Sequence, residues 1–203
     1  MAYASWLTID KLAGSGNDTL NVSAGSSNTG RSARSTTFTV SAANCEDVVR
    51  TVNQAGKPEF VSIDATASVT KTGGSVTISG TSNSSKLTFS LGTGGTLDIT
   101  LPSSYTANSV STDNGDNITG DPGNTAEFAF SITISNIPEN TTISDLTKQI
   151  IVTDNASHTA TCTITQAAGD PTLSVSPASV EIPWDASTSA SFSVTSNTSW
   201  TVA

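Results

Sequence analysis

Apolar side chains alternate with threonine and serine in many short runs along this chain. The run Thr159–Gln166, for example, reads Thr-Ala-Thr-Cys-Thr-Ile-Thr-Gln. Alternation with a period of two is typical of strands that bury one face, and β-branched threonine suits the solvent face of such a strand. The nearest approach to a helical pattern, Thr142–Leu146, is long enough for about one turn. The pattern therefore predicts an all-β protein.

The predicted strands are short, and segments rich in glycine, asparagine and serine separate them. The acidic, glycine-containing stretch Asp113–Asn124 is predicted to be a loop. Roughly seven or eight short strands per unit, with turn signals between them, indicate an immunoglobulin-like β-sandwich. The predicted strands are Trp6–Ile9, Thr19–Ser23, Arg34–Val40, Val48–Gln54, Phe60–Ile63, Ser75–Ser79, Leu87–Leu91, Leu97–Leu101, Glu127–Ile134, Gln149–Val152, Ala160–Gln166, Leu173–Val175, Val180–Ile182, Ser191–Thr195 and Trp200–Val202.

A closing motif occurs twice in the sequence. Thr51–Gly56 reads Thr-Val-Asn-Gln-Ala-Gly, and Thr163–Gly169 reads Thr-Ile-Thr-Gln-Ala-Ala-Gly. The interval from Gln54 to Gln166, the glutamines of the two motifs, defines what we call the repeat spacing. A proline and a new predicted strand follow each motif. One whole repeat is therefore flanked by two partial repeats.

The repeat divides the chain into an N-terminal segment (residues 1–57), a central segment (58–170) and a C-terminal segment (171–203). The central segment is predicted to be a complete domain. The N-terminal segment is predicted to be the C-terminal part of a split domain, and the C-terminal segment the N-terminal part of one. We therefore predict tandem immunoglobulin-like β-sandwiches, one whole and one split between the two terminal segments.

A half-sandwich leaves apolar side chains and strand edges exposed, so the split domain requires completion. Three arrangements are consistent with this requirement. In the first, residues 171–203 of one subunit complete the sandwich begun by residues 1–57 of the next. Such a head-to-tail contact builds a ring or an open filament. In the second, the C-terminal segment folds back onto the N-terminal segment of its own chain. In the third, the sequence is a piece of a longer array of similar domains.

The two terminal segments together resemble a known family, the BACON domain. The resemblance holds when residue 203 is followed by residue 1, and the joined motifs then stand in the order found in that family. The central segment is similar to the same family at a lower level, without its tryptophan pair and with a longer central loop. The matching motifs are Leu173–Val175, Phe192–Val202, Ser5–Ile9, Gly14–Gly16, Arg31, Arg34, Phe38–Val40 and Val52–Gly56.

BACON domains are known from secreted proteins of gut Bacteroidota and from virion proteins of the phages that infect them. The resemblance thus implies an immunoglobulin-like fold and a virion or extracellular location. The family name implies carbohydrate binding, without binding residues that can be carried over. Met1–Trp6 leads directly into a predicted strand, without the basic and apolar regions of a signal peptide. We therefore expect a phage particle rather than a cell-surface filament.

The candidate interface residues are the apolar positions of the split domain. Trp6 and Trp200 occupy the family's tryptophan positions, and the resemblance implies that they pack in the joined core. Buried tryptophans often dominate the energy of an interface. Trp184 lies in a predicted bend and is the candidate for stacking on a sugar ring. The residues predicted to form the subunit interface are Trp6, Leu7, Ile9, Phe192, Val194, Trp200 and Val202.

The charge of the chain narrows the class of partner. The formal net charge is −9 at neutral pH, and the basic residues are scattered. This balance argues against nucleic acid and against anionic membrane surfaces. No apolar run is long enough for a transmembrane helix, so we predict no membrane insertion.

Few residues suggest chemistry, and we predict no enzymatic activity and no cofactor. The single histidine, His158, lacks an acid and a nucleophile at a spacing that supports a catalytic triad. Calcium prefers six to eight oxygen ligands. Asp113, Asp116 and Asp121 form the one oxygen-rich cluster, but their spacing is not that of an EF-hand. Calcium at these residues is therefore only a weak alternative to no metal site.

The two cysteines fall in different repeats and at different distances from the closing glutamine. Cys45 lies well before Gln54, whereas Cys162 is in the same predicted strand as Gln166. We predict that both are buried, inert thiols. A disulfide between subunits is the alternative.

These observations favour a structural protein that assembles with further copies of itself into a fibre or a virion component. The alternative, from another class, is a carbohydrate-binding module for mucin-type glycans, closed within one chain.

Overall fold

A computed structural model describes residues 3–185 and 187–203, and this part of the chain is all-β. The prediction of the fold class is confirmed at that level. The only helical element in the described residues is a single 3₁₀ turn, Pro122–Asn124. The strands are β1 (Leu7–Ile9), β2 (Val22–Ala24), β3 (Arg34–Val40), β4 (Val48–Gln54), β5 (Val61–Ile63), β6 (Thr66–Val69), β7 (Gly74–Ser82), β8 (Leu87–Leu91), β9 (Ser104–Ala107), β10 (Val110–Asp113), β11 (Phe128–Ile137), β12 (Leu146–Asp154), β13 (Thr159–Gln166), β14 (Leu173–Ser176) and β15 (Ser193–Ser196).

The central segment contains two sheets that enclose one core, and we call this unit the central sandwich. The first sheet has five strands in the order β10-β9-β11-β7-β5, and the second has four in the order β6-β13-β12-β8. Strand β6 pairs with β13 in parallel, and the other pairings in these sheets are antiparallel.

Alternating side chains of both sheets form the core. Ile78 and Ile132 face inward from the first sheet, and Ile150 and Ile164 face them from the second. Full burial of such a side chain stabilises the fold by about 1.5–3 kcal/mol. Phe89 stands between two aromatic neighbours, with ring centroids 5.0 Å from Tyr105 and 5.8 Å from Phe130. The buried residues of this cluster all lie in the central segment.

The terminal segments form hairpins that have no comparable core. The N-terminal segment contains two separate two-stranded sheets, β1-β2 and β3-β4, and the C-terminal segment contains one, β14-β15. Leu7 is the only buried large apolar side chain among the described residues of both segments. Isolated two-stranded sheets are marginally stable in water, so these hairpins lack the packing that stabilises the central sandwich.

The structure departs from the predicted strands in physically informative places. Leu97–Leu101 is buried in part, but its backbone does not form a strand. Val180–Ile182 and Trp200–Val202 are also not strands, because no neighbouring strand lies beside them in the chain. Three short strands, β6, β9 and β10, were not predicted, because four residues with mixed polarity carry little periodic signal. The loop predicted at Asp113–Asn124 contains the 3₁₀ turn.

Two asparagines in different segments make the same hydrogen bonds to backbone carbonyl groups, and we call this arrangement a corner. The side-chain amide Nδ2 of Asn28 donates to the carbonyl oxygens of Ser32 and Ala55 at 2.8 and 3.2 Å, residues that lie 4 and 27 positions further along the chain. Nδ2 of Asn140 donates to carbonyl oxygens at the same two spacings, at 2.9 and 3.0 Å. Asn28 and Asn140 are separated by the repeat spacing, so the corner follows the sequence repeat.

The closing glutamines also make equivalent contacts. Gln54 Nε2 donates to the carbonyl oxygen of Ser26 at 3.0 Å, and Gln166 Nε2 donates to that of Pro138 at 2.7 Å, across 28 residues in both cases. In both hairpins, β3-β4 and β12-β13, the closing glutamine pairs with the first residue of the preceding strand. The N-terminal hairpin thus has the local geometry of the central sandwich without its core.

We expect Asn140→Ala to lower the free energy of unfolding of the central sandwich by about 3 kcal/mol, because two carbonyl oxygens and a backbone N–H lose their buried partner. Denaturant unfolding followed by circular dichroism measures this loss. The matched control is Asn28→Ala, which removes the same contacts outside the core and should leave that transition in place. Equal losses in the two variants would contradict the assignment of stability to the central sandwich.

Candidate subunit interface

The N-terminal segment contains an open cleft between its two sheets, lined by polar and apolar groups in about equal measure. Its volume is about 700 Å³. In the central sandwich, the space between the sheets is filled by the side chains of the opposing strands. The apolar side chains lining the cleft are Tyr3, Ile9, Leu12, Leu20, Phe38 and Val40.

The apolar residues that this segment exposes match buried positions of the central sandwich. Val22 in β2 is 40% exposed, whereas Ile134 in β11, one repeat spacing further along, is 0% exposed. Leu20 and Val40 are likewise exposed, and their counterparts at the same spacing, Ile132 and Val152, are buried. The N-terminal segment therefore presents the inward faces of two partial sheets, which lack the strands equivalent to β5 and β7 in one sheet and to β6 and β8 in the other.

The C-terminal segment shows the complementary pattern. Its hairpin β14-β15 pairs Leu173 with Ser196, as β5-β7 pairs Val61 with Ser82. Phe192, just before β15, is 48% exposed, whereas Ile78 at the corresponding place in β7 is 0% exposed. The segment thus presents inward-facing side chains without an opposing sheet.

An asparagine follows the second strand of both hairpins and forms a matching corner. Asn83 Oδ1 accepts from the backbone N–H of Phe60 at 3.0 Å, and Asn197 Oδ1 accepts from that of Thr172 at 2.8 Å. Nδ2 of each asparagine donates to the carbonyl oxygens of the preceding linker, which for Asn197 include that of Asp170 at 2.9 Å. The C-terminal segment thus has the local geometry of the first strands of the central sandwich.

The predicted interface residues differ in their surroundings within one chain. Leu7 is buried, and Trp6 and Ile9 are half-buried. The guanidinium carbon of Arg34 lies 4.9 Å from the centroid of the Trp6 ring, a cation–π contact. In the C-terminal segment Val194 is half-buried, and the exposed interface residues are Phe192, Trp200 and Val202. No hydrogen bond between described residues joins the two terminal segments of one chain.

The terminal segments attach to opposite ends of the central sandwich. Arg31 donates to the carbonyl oxygen of Asn83, which directly follows β7. The C-terminal attachment includes a hydrogen bond from Asn197 Nδ2 to the carbonyl oxygen of Thr141 at 3.0 Å. The backbone N–H of the adjacent Asn140 donates to the carbonyl oxygen of Lys71, which lies in the turn that leads into β7. Strand β7 has nine residues. At about 3.4 Å per residue this strand is roughly 27 Å long, and the two attachments lie at its opposite ends.

The N-terminal attachment rests on one bidentate ion pair and close backbone contact. Arg31 Nη2 donates to both carboxylate oxygens of Asp121, at 2.8 and 2.6 Å. The backbone N–H of Arg31 also donates to the carbonyl oxygen of Gly123 at 2.9 Å. A Cβ on Gly30 would clash with the backbone carbonyl of Thr125, so this approach requires glycine.

The weak calcium candidate does not form a site in this arrangement, because the carboxylate of Asp121 contacts the guanidinium of Arg31. Asp113 ends β10, and Asp116 lies in the following turn. Over residues 3–185 and 187–203, no group of three or more histidine, cysteine or acidic side chains is arranged to hold a metal ion.

The remaining candidates carry little chemistry. His158 Nδ1 lies 2.8 Å from the buried carboxylate oxygen of Asp154, a contact that closes the β12-β13 turn.

Cys45 is exposed, so the prediction of a buried thiol is wrong for this residue. It lies in a turn between β3 and β4. Cys162 is buried as predicted, and desolvation raises the pKa of its thiol, which keeps it unreactive. Trp184 is 98% exposed.

Comparisons with known proteins do not assign this chain to a family. No family model and no curated protein matches the chain. Among solved structures, the chain is similar to an endo-fucoidan hydrolase of glycoside hydrolase family 107, at 15% identity and a TM-score of 0.33. The match covers 84% of this chain and 23% of that enzyme. Among the residues that the structure describes, none lies in a helix of the length and hydropathy that a membrane crossing needs.

We expect Arg31→Ala to loosen the N-terminal segment from the central sandwich, because it leaves the Asp121 carboxylate and the Asn83 carbonyl without their donor. Limited proteolysis should then cut near residues 55–58 several times faster. The control is Lys11→Ala, which removes the exposed ion pair with Asp18 and should leave the rate unchanged. An unchanged rate in Arg31→Ala would show that the ion pair does not hold this junction.

Proposed function

We propose that this protein is a structural component that assembles head to tail, with residues 171–203 of one subunit completing the sandwich begun by residues 1–57 of the next. The observation that carries the proposal is the match between exposed and buried positions. Val22 and Phe192 are exposed in the terminal segments, and their counterparts Ile134 and Ile78 are fully buried in the central sandwich. Joining the two segments would bury the apolar surface that each exposes alone.

The central sandwich provides the expected register of the contact. There, β7 pairs with β11 so that Ile78 lies opposite Ile132. The same pairing between β15 of one subunit and β2 of the next places Phe192 opposite Leu20. Both side chains then face the cleft of the N-terminal segment. The main-chain hydrogen bonds of the added strand would also satisfy the free edge of β2.

Two of the predicted strands that do not form, both in the C-terminal segment, fit the same proposal. In the central sandwich, β6 pairs in parallel with β13, and β8 pairs with β12. The corresponding edges of the N-terminal segment belong to β4 and β3. We expect Val180–Ile182 of the neighbouring subunit to add to β4 and Trp200–Val202 to add to β3. These residues would become strands only when those edges lie beside them.

Completion between chains fits the geometry better than closure within one chain. The two terminal segments attach at opposite ends of the central sandwich, at the two ends of the nine-residue strand β7, which is roughly 27 Å long. A strand exchange of this extent resembles a domain core cut in half, the class of interface that buries about 2,000 Å² or more. Such interfaces are obligate, which is the behaviour expected of a fibre or a virion component.

The proposal includes the finer description of the fold, in which the sandwiches are immunoglobulin-like domains of the BACON type. It also includes a virion or extracellular location, which rests on the resemblance. The recurrence of the Asn28 corner at Asn140 supports a tandem repeat of one domain type.

A second candidate function is glycan binding, favoured by one observation, the 98% exposure of Trp184. An exposed indole ring is suited to stacking on a sugar. Retention of the protein on immobilised mucin-type glycans, compared with Trp184→Ala, tests this function. Loss of retention in the variant supports it, and equal or absent retention counts against it.

We expect removal of residues 171–203 to abolish assembly, because the cleft of the N-terminal segment then lacks its occupant. Light scattering and negative-stain imaging should show rods or rings for the whole chain and monomers for the shortened one. A synthetic peptide of residues 171–203 should bind the shortened protein. Assembly of the shortened protein, or whole chains that remain at 20.6 kDa, would contradict the proposal.

We expect Phe192→Asp to raise the concentration needed for assembly about a hundredfold or more, because it places a charge against Leu20 and the other apolar side chains of the cleft. Thr195→Asp is the matched control, since Thr195 lies on the opposite face of β15 and is exposed as its counterpart Thr81 is. Sedimentation at several protein concentrations measures the change. Equal effects of the two substitutions would indicate a charge effect without burial of Phe192.

A further inference from the structure

The contact between the N-terminal segment and the central sandwich predicts a second contact between subunits. Inside the chain, the turn Thr29–Ser32 lies against the 3₁₀ turn Pro122–Asn124 that precedes β11. The backbone N–H groups of Arg31 and Ser32 donate to the carbonyl oxygens of Gly123 and Asn124 at 2.9 and 3.0 Å. We call this contact the internal junction.

The same turn recurs at the other end of the central sandwich. Thr141–Ser144 follows Thr29–Ser32 by the repeat spacing, and the buried Asn140 forms it as Asn28 forms the first. The backbone N–H of Gly169 donates to the carbonyl oxygen of Thr142 at 2.7 Å, as that of Lys57 donates to Gly30 at 2.8 Å. This second turn therefore has the same shape, and it faces the C-terminal segment.

A loop of the N-terminal segment is the counterpart of the 3₁₀ turn. The loop 10–21 joins β1 to β2, and Ile9 pairs with Val22 at its base. Strand β2 corresponds to β11, and the 3₁₀ turn precedes β11. The loop thus lies at the end of the split sandwich that adjoins the central sandwich of the preceding subunit.

The internal junction and the proposed contact between subunits differ in the polarity of both their surfaces. The internal junction is ionic, with Arg31 on the turn and Asp121 beside the 3₁₀ turn. The residue that corresponds to Arg31 is Ile143, which is 46% exposed, and the loop 10–21 presents Leu12, which is 81% exposed. At the repeat spacing Leu12 corresponds to Asn124, which Ser32 contacts in the internal junction. Both surfaces of the second junction thus present an apolar side chain where the internal junction is polar.

The shape of the loop holds Leu12 at the outer rim of the cleft, where the side chain is 81% exposed. Asn21 donates to both carboxylate oxygens of Asp10, from its backbone N–H at 3.0 Å and its Nδ2 at 2.7 Å. These hydrogen bonds, that from the Asn21 side chain above all, lower the pKa of Asp10, so the contact persists to a lower pH than that of an ordinary aspartate. Lys11 and Asp18 form an ion pair across the loop at 2.9 Å. The base of the loop is therefore closed before any subunit contact forms.

We propose that Leu12 of one subunit packs against Ile143 of the preceding subunit and forms a second, apolar interaction surface beside the exchanged strands. This inference rests on the proposed function, because the two residues meet only when the C-terminal segment of the preceding subunit completes the N-terminal segment. The occupant of the surface is a second copy of this chain. The contact fixes the angle between successive subunits, as the ion pair does between the sandwiches of one subunit.

Cysteine cross-linking tests the contact directly. The parent is Cys45→Ser, which removes the exposed thiol and leaves the buried Cys162. Leu12→Cys combined with Ile143→Cys should give a ladder of covalent oligomers on a non-reducing gel after mild oxidation. The control combines Leu12→Cys with Thr77→Cys, which lies on the exposed face of β7 and should give no ladder.

The outcomes separate this inference from the proposed function. Polymers of the parent with a ladder only in the Leu12–Ile143 pair support the contact. Polymers of the parent without that ladder, or with equal ladders in both pairs, overturn the contact and leave strand completion in place. A parent that forms no polymer overturns both.

A charge exchange gives an independent measurement. Leu12→Asp alone should raise the concentration needed for assembly about tenfold, and Leu12→Asp with Ile143→Arg should recover most of that loss at low salt. The recovered assembly should weaken as salt is added, whereas assembly of the parent should not. Equal assembly of all three proteins would overturn the contact.

Discussion

The need to cover the apolar face of every sheet governs this structure. The five-stranded and four-stranded sheets of the central sandwich cover each other, and residues such as Ile78 and Ile150 become fully buried between them. The terminal hairpins have inward faces of the same pattern but lack the remaining strands of both sheets. Exposed apolar surface and free strand edges both favour association with another chain. The functional proposal follows from this imbalance between one complete core and two incomplete ones.

The asparagine corners join the linkers to the strand ends, and the packing of the sheets depends on these connections. The amides of Asn28, Asn83, Asn140 and Asn197 bind backbone groups that no strand pairing satisfies. Because a buried amide can donate and accept at once, one side chain joins a linker to a strand end. The same corners occur in complete and incomplete sandwiches, so they do not require a closed core. Each half can therefore be ready for its partner.

The repeat could be predicted from the sequence because the motif and the alternation that indicate it each span only a few residues. Two copies of the closing motif and long alternating runs predicted the strands Arg34–Val40 and Val48–Gln54 with the bounds seen in the structure. The ion pair between Arg31 and Asp121 was not predicted, since 90 residues separate its partners and the sequence does not indicate which distant residues meet. The apolar positions of the candidate interface were predicted, but the burial of each side chain was not.

Sequence alone determined the strand content, the period of the repeat and the inward positions of each strand, because these depend on neighbours a few residues apart. The tertiary structure decided which inward positions are covered and which are exposed. It also decided that the two terminal segments leave the central sandwich at opposite ends. Those features depend on contacts between residues far apart in the chain, such as Asn83 with Arg31 and Asn197 with Thr141, and the periodicity of the sequence does not indicate them.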